Sequence, residues 1–210
     1  MGTFNTYGNQ SRVYGGAVPV WFNVRQKERS GGTLESEYLV VGTLIRAGSL
    51  VSLNQAGETA KIIETFEVAA AVTATDTVVK VKAYPSYPKP KEGIALMKAP
   101  SSASATGKAG LISDVELDSA NGVYEFTITA NDLGVLAAGD ILVRAASAGA
   151  TASVVAIPTG LTENDVWVDN GDYAATVASV FDGEIMEDRI QPIPSFVKQV
   201  LPMIKFTKGV

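Results

Sequence analysis

Short apolar runs alternate with breaks rich in Gly, Pro, Asn and Asp along nearly the whole chain. Where the runs are clearest, their period is two. In Asp76–Ala83, Val79 and Val81 face one way and Lys80 and Lys82 the other, which predicts a strand with one buried face. Tyr124, Phe126 and Ile128 alternate with Val123, Glu125, Thr127 and Thr129 in the same manner, and their face should be the core face. Leu111–Leu117 and Val123–Thr129 flank Asn121-Gly122, a dipeptide that accepts the positive φ of a tight turn, so the two runs predict a hairpin.

Further strands are predicted at Val18–Val24, Tyr38–Val41, the two halves of Gly42–Leu53, Gly93–Lys98, Ile141–Ala145 and Ser153–Ile157, the last two joined by a Gly/Ala/Ser loop. Ala174–Phe181 reads as another strand, with Gly183–Arg189 as its hairpin partner. Lys61–Ala71 fits either a strand pair or a short helix, and Asn131–Ala138 fits one helical turn. Pro85, Pro88 and Pro90 forbid helix and regular ladder pairing, which makes Tyr84–Lys91 a stiff exposed loop. Its two tyrosines and two lysines either contact a partner or cover the edge of the core. Near the end, Ser195–Leu201 fits a short helix between Pro194 and Pro202, with Phe196, Val197, Val200, Leu201 and then Ile204 along one apolar face.

Many short strands separated by Gly/Pro turns predict an all-β fold, a small sandwich or barrel. Its expected organisation is an extended N-terminal arm over residues 1–35, a β domain over 36–190, and a C-terminal helix or clasp over 191–210. A chain of 210 residues with 46% apolar residues can bury a core of that size.

Composition narrows the chemistry. The chain has no Cys and no His. Disulfides and thiolate metal sites are therefore excluded, as are Ser-His-Asp and Cys-His catalysis; carboxylate and lysine chemistry remains open. Glu163, Asp165, Asp169, Asp172, Asp182, Glu184, Glu187 and Asp188 crowd the last quarter. Two carboxylates can hydrolyse a glycoside, but nothing in the spacing selects a pair, and a solvated acidic face explains the cluster as well. Asp169-Asn170-Gly171-Asp172 lacks the spacing of a calcium loop, and no phosphate-binding glycine motif is present. No cofactor, metal or catalytic residue is expected.

Charge adds one feature. Residues 1–30 and 191–210 each carry a net +3, whereas the total is −5, so the body between them is strongly acidic. Basic ends suit contact with an acidic partner surface, or are simple scatter at frayed termini. An acidic body without a basic-aromatic platform disfavours specific nucleic-acid binding. Met1–Tyr14 holds no apolar signal core, and no run approaches the ~20 apolar residues of a membrane span, so a soluble protein without a membrane partner is expected.

The candidate interface comprises Trp21, Phe22 and Arg25 in the arm and Phe196, Val200, Leu201 and Ile204 in the clasp. Adjacent side chains of a strand point to opposite faces, so on an edge strand one of Trp21 and Phe22 must face outward unless a loop covers it. Large exposed aromatics are favoured interface anchors.

Two stretches carry a resemblance. Gly42-Thr43-Leu44-Ile45-Arg46-Ala47-Gly48-Ser49-Leu50-Val51-Ser52-Leu53 looks like the G-x-hydrophobic-x-x-G-x-hydrophobic-V element of small β proteins that decorate tailed-phage capsids. Ile157–Val166, continuing through Glu187–Pro194 to Val197–Phe206, is similar to head fibre proteins of gut bacteriophages and prophages. The resemblance spans residues 36–206 and leaves the arm outside. It implies a structural protein of the virion surface, assembled in the host cytoplasm, bound to the major capsid protein and oligomeric, often trimeric, with no catalytic residues. A second reading is a carbohydrate-binding or adhesin module whose Tyr84, Tyr87 and Trp167 stack on sugars. A third is a glycan-degrading enzyme working through two carboxylates.

Overall fold

The computed structural model describes residues 19–28, 31–56, 58–85, 87–128, 133–168 and 175–208. The chain first lays down β1 (Trp21–Lys27), β2 (Gly32–Leu34), β3 (Leu44–Ile45), β4 (Leu50–Asn54) and β5 (Thr59–Ile62). It then forms β6 (Thr65–Glu67), β7 (Val78–Lys82), β8 (Ala95–Lys98), β9 (Gly107–Asp118), β10 (Val123–Ile128), β11 (Ile141–Ala145) and β12 (Gly149–Ala152). It returns through β13 (Gly160–Thr162), β14 (Val166–Trp167), β15 (Thr176–Val177) and β16 (Ser179–Met186), and closes with a 3-10 turn (Glu187–Arg189), α1 (Ser195–Val200) and β17 (Ile204–Thr207). The fold is all-β with a short C-terminal helix, as the alternating pattern predicts.

The middle third is a small barrel. Its strands are ordered β6-β11-β8-β9-β10-β7. The Val68–Val81 bridge, with Ala69 N–H donating to Lys80 O at 2.8 Å, ties the last strand back to the first. Closure leaves the ring without a free edge. The interior is filled by Phe66, Val79, Val81, Leu96, Ile112, Phe126 and Leu142, and the Phe66 and Phe126 rings meet edge to face at 5.3 Å. The predicted β9–β10 hairpin is present, with Gly122 at φ 64° in its turn. Phe126 and Ile128 are buried, and Tyr124 is partly buried, on the predicted core face.

This barrel is inserted between β5 and β13 of an eight-stranded sheet, ordered β1-β16-β13-β4-β5-β2-β15 with β17 parallel to β16. One face of that sheet, carrying Leu50, Leu161, Val180 and Ile185, packs with Met97, Ala109 and Val143 from the barrel wall and Phe196 and Val197 of α1. Its other face presents Leu34, Val51, Ala60, Ile62 and Val177 to Leu39, Ile45 and Val168, beside the β3–β14 ribbon. Leu50 and Val51 of β4 thus serve two different cores from adjacent positions, as strand alternation requires.

Several expectations are corrected. Residues 21–34, assigned to the arm, contribute β1 and β2 to the large sheet, because Trp21, Val24 and Leu34 have apolar partners there. The expected arm over residues 1–18 lies outside the described residues. Tyr38–Val41 is turn-rich and forms no strand. The strand expected at Ser153–Ile157 lies earlier, at Gly149–Ala152, where its small residues pair with Gly107 and Ala109 of β9; Val154 makes only a single bridge to Ala145. Lys61–Ala71 resolves into strands, and residues 133–138 contain no helical turn, since Leu136 bridges Val72 instead.

The hairpin expected around Asp182-Gly183 is a single continuous strand, β16. Gly183 is there for space and not for a turn: a Cβ at this position would lie 2.6 Å from the Asn23 carbonyl oxygen of β1. Gly183→Val should therefore push β1 away from β16 and lower unfolding free energy by about 1–3 kcal/mol, measurable by urea denaturation. A variant as stable as the parent would show that β1 is not held so closely.

Candidate functional site

The predicted interface residues divide into two groups. Phe196, Leu201 and Ile204 are buried in the chain's own core, and Val200 packs against its margin. The amphipathic face of the C-terminal segment is thus covered by this chain's sheet and barrel, which corrects its assignment as an intermolecular clasp. β17 then adds to β16 in parallel, with Lys205 and Thr207 both donating to Glu184 at 2.8 Å. These donors hold the Glu184 carboxyl below its usual range.

β1 differs because it is the terminal strand of the large sheet. Trp21 is half-buried, and its Nε1–H donates to Thr162 O at 3.1 Å. Phe22, the next residue, is 63% exposed. Arg25 lies 3.4 Å from the buried Asp182, and Lys27 lies 2.9 Å from Glu163. Of the aromatic pair, then, Trp21 is bound inward and Phe22 faces out.

The late acidic cluster is largely occupied by cations of the same chain. Besides Asp182 and Glu163, Asp165 pairs with Arg46 at 3.0 Å, Glu184 with Lys205 at 2.8 Å and Glu187 with Lys198 at 2.7 Å. Asp169 and Asp172 lie outside the described residues. Among the described residues no group of three or more acids could hold a metal ion, and no helix is long and apolar enough to cross a membrane.

The structure also brings together aromatic residues that are distant in sequence. A groove of about 340 Å³ is lined by Tyr84, Tyr87, Lys89, Tyr124, Trp167 and Arg46, with Gly42–Leu44 and Pro85 completing it. Each wall has a local cause. In the Pro-rich loop, Pro88 and Pro90 are buried while Lys89 between them is exposed, and Tyr87 N–H donates to Tyr84 O at 2.9 Å. The loop therefore both covers the core edge and displays its polar side chains. Tyr84 and Tyr87 meet edge to face at 5.0 Å. Trp167 is set by the β3–β14 pairing: Val168 turns into the core, its N–H donates to Thr43 O at 2.9 Å, and Trp167 is left 48% exposed. Tyr124 reaches the groove from the barrel. Burial raises the hydroxyl pKa of Tyr87 and of Tyr124 above the usual phenol range, which keeps both as neutral donors. In the sequence Tyr84, Tyr87 and Trp167 stand out as separate candidates, whereas Tyr124 is one member of a core-facing alternation.

A second cavity, of about 500 Å³, shares Tyr84 and Tyr87 and is lined also by Glu67, Glu187, Asp188 and Lys208. Its carboxylates are partly committed, since Glu67 accepts from Lys82 at 2.5 Å and Glu187 from Lys198. The two cavities lie on a protein that is all-β, with an inserted barrel and an exposed aromatic on its edge strand. No family model matches the chain, no curated protein matches it, and no solved structure matches it.

Proposed function

We propose that this chain is a non-enzymatic structural subunit of a virion surface, a head fibre or capsid decoration protein that assembles as a homotrimer and binds the major capsid protein. The observation that carries the reading is the edge strand β1, with Phe22 exposed to solvent on a strand that ends the sheet order. An edge strand can accept a further strand from another chain, and an exposed aromatic beside it supplies apolar area for that contact. The resemblance of residues 36–206 to phage head fibre proteins supplies the biological setting.

Phe22→Glu tests the reading with little risk to the fold, because the side chain is exposed. The variant should fold with the parent's circular dichroism, yet shift from trimer toward monomer in light scattering coupled to size exclusion, and bind capsids at least about tenfold more weakly. A parent that is strictly monomeric and does not bind capsids, or a variant with unchanged mass and capsid binding, contradicts the proposal.

A further inference from the structure

The aromatic groove has a chemistry of its own, independent of how the chain assembles. We infer that it binds an acidic oligosaccharide, with sugar rings stacked on Trp167 and Tyr84 and a sugar carboxylate directed to Lys89.

Three observations converge. First, the groove gathers four aromatic side chains, and its two most exposed rings, Trp167 at 48% and Tyr84 at 49%, belong to separate elements. Rings fixed by a strand pair and by a Pro-stiffened loop offer flat apolar faces at low entropic cost, which suits the C–H faces of sugar rings. Second, residues with polar groups line the groove beside those faces: Tyr87, Tyr124 and Thr43. This mixture of apolar faces with a few directed polar groups is what a saccharide presents in return, and ~300–1,000 Å³ is the usual size of a ligand pocket.

Third, the charge is one-sided. Lys89 and Arg46 line the groove, whereas none of its described lining residues is Asp or Glu. Arg46 pairs with Asp165 at 3.0 Å, which leaves the exposed Lys89 as the cation offered to a ligand carboxylate. The chain as a whole is acidic, with net charge −5, and its nearby carboxylates Glu67, Glu187 and Asp188 line the neighbouring cavity. General electrostatics would therefore repel an anionic glycan, and a cationic, aromatic patch on such a body selects one locally.

The test uses the full chain and two matched probe pairs: trigalacturonate against galactotriose, and sialyllactose against lactose. Titration is followed by calorimetry and by tryptophan fluorescence. At least one acidic probe should bind, about tenfold or more tighter than its neutral partner, and weaken as salt rises. Trp167→Ala and Tyr84→Ala should each weaken binding by about tenfold, and Lys89→Ala should remove the preference for the acidic probe. Tyr84 lies in a loop, so its variant decides the matter should Trp167→Ala fold poorly. Binding of neither acidic probe, equal binding of neutral and acidic probes, or acidic binding unaffected by both aromatic changes would overturn the inference. Phe22→Glu should bind the acidic probe like the parent, which separates failure of the groove from failure of the assembly reading.

Discussion

Phe126→Ala is expected to destabilise the protein by about 3–5 kcal/mol, a large part of the ~5–15 kcal/mol that holds a typical domain folded. Phe126 is fully buried at the centre of the barrel, against Phe66 at 5.3 Å and among Val79, Val81, Ile112 and Leu142. Its removal takes away the transfer free energy of the ring and leaves a cavity that a closed ring of strands cannot collapse to fill. The hydrogen-bonded circuit through β6-β11-β8-β9-β10-β7 sets the diameter, so side chains cannot approach one another without breaking ladder bonds. The barrel wall also supplies Met97, Ala109 and Val143 to the core beneath the large sheet, so the damage should spread beyond the barrel. Equilibrium urea unfolding at neutral pH measures the loss. A midpoint shift equivalent to less than about 1 kcal/mol would mean that the ring is not closed and tightly packed. Phe22→Ala is the contrasting case: the side chain is exposed, and its loss should stay within about 0.5 kcal/mol.

The same division between solvated and enclosed faces decides which elements are legible in the sequence. Strands with one solvated face, such as β7 and β10, announce themselves through alternation, and the Asn121-Gly122 turn fixes their neighbour. β8 and β11 are buried on both faces, with Leu96 and Leu142 inside the barrel and Met97 and Val143 outside it. Their sequences consequently read as apolar runs whose packing partners are not encoded locally. The insertion was illegible for a related reason. β4 pairs with β5 nearby but with β13 beyond the whole barrel, and nothing in Gly160–Thr162 specifies that partner. Gly183 is ambiguous in the sequence because glycine permits both a turn and a close backbone approach, and only the presence of Asn23 beside β16 decides between them. The same holds for function. The apolar stripe of Ser195–Leu201 required a cover, and the chain's own sheet provides it. Tyr84, Tyr87 and Trp167 were visible as candidates, while their convergence depends on the β3–β14 pairing and on buried Pro88 and Pro90.

Arg144→Met should cost about 3–5 kcal/mol at neutral pH, and the cost should depend on pH in a direction fixed by its partner. Arg144 and Glu64 are both buried, with the guanidinium Nη1 at 3.3 and 3.2 Å from the two carboxylate oxygens and 4.4 Å between the guanidinium carbon and the Tyr38 ring centre. The Arg144 backbone N–H also donates to Glu64 O at 3.0 Å, so the pair sits where the chain leaves the large sheet and enters the barrel. Burial raises the Glu64 carboxyl above its ordinary value of 4.5, and Arg144 opposes that rise. Without Arg144 only a backbone hydrogen bond still opposes the rise, so the carboxyl climbs further. A raised folded-state pKa contributes stability that is complete below the unfolded value and is lost as pH climbs through the folded one. The deficit of Arg144→Met should accordingly be smallest near pH 4 and grow toward neutrality, as Glu64 is increasingly forced either to ionise without a partner or to hold a proton that the unfolded chain would release. Adding Glu64→Leu to Arg144→Met removes the stranded acid and should recover most of the loss, because an apolar pair of similar volume has no charge to desolvate. Urea melts of the parent, the single variant and the double variant across this pH range decide the issue. A deficit that is flat with pH, or a double variant no more stable than the single, would show that Arg144 acts mainly through its stacking on Tyr38 and its packing, and not by neutralising Glu64.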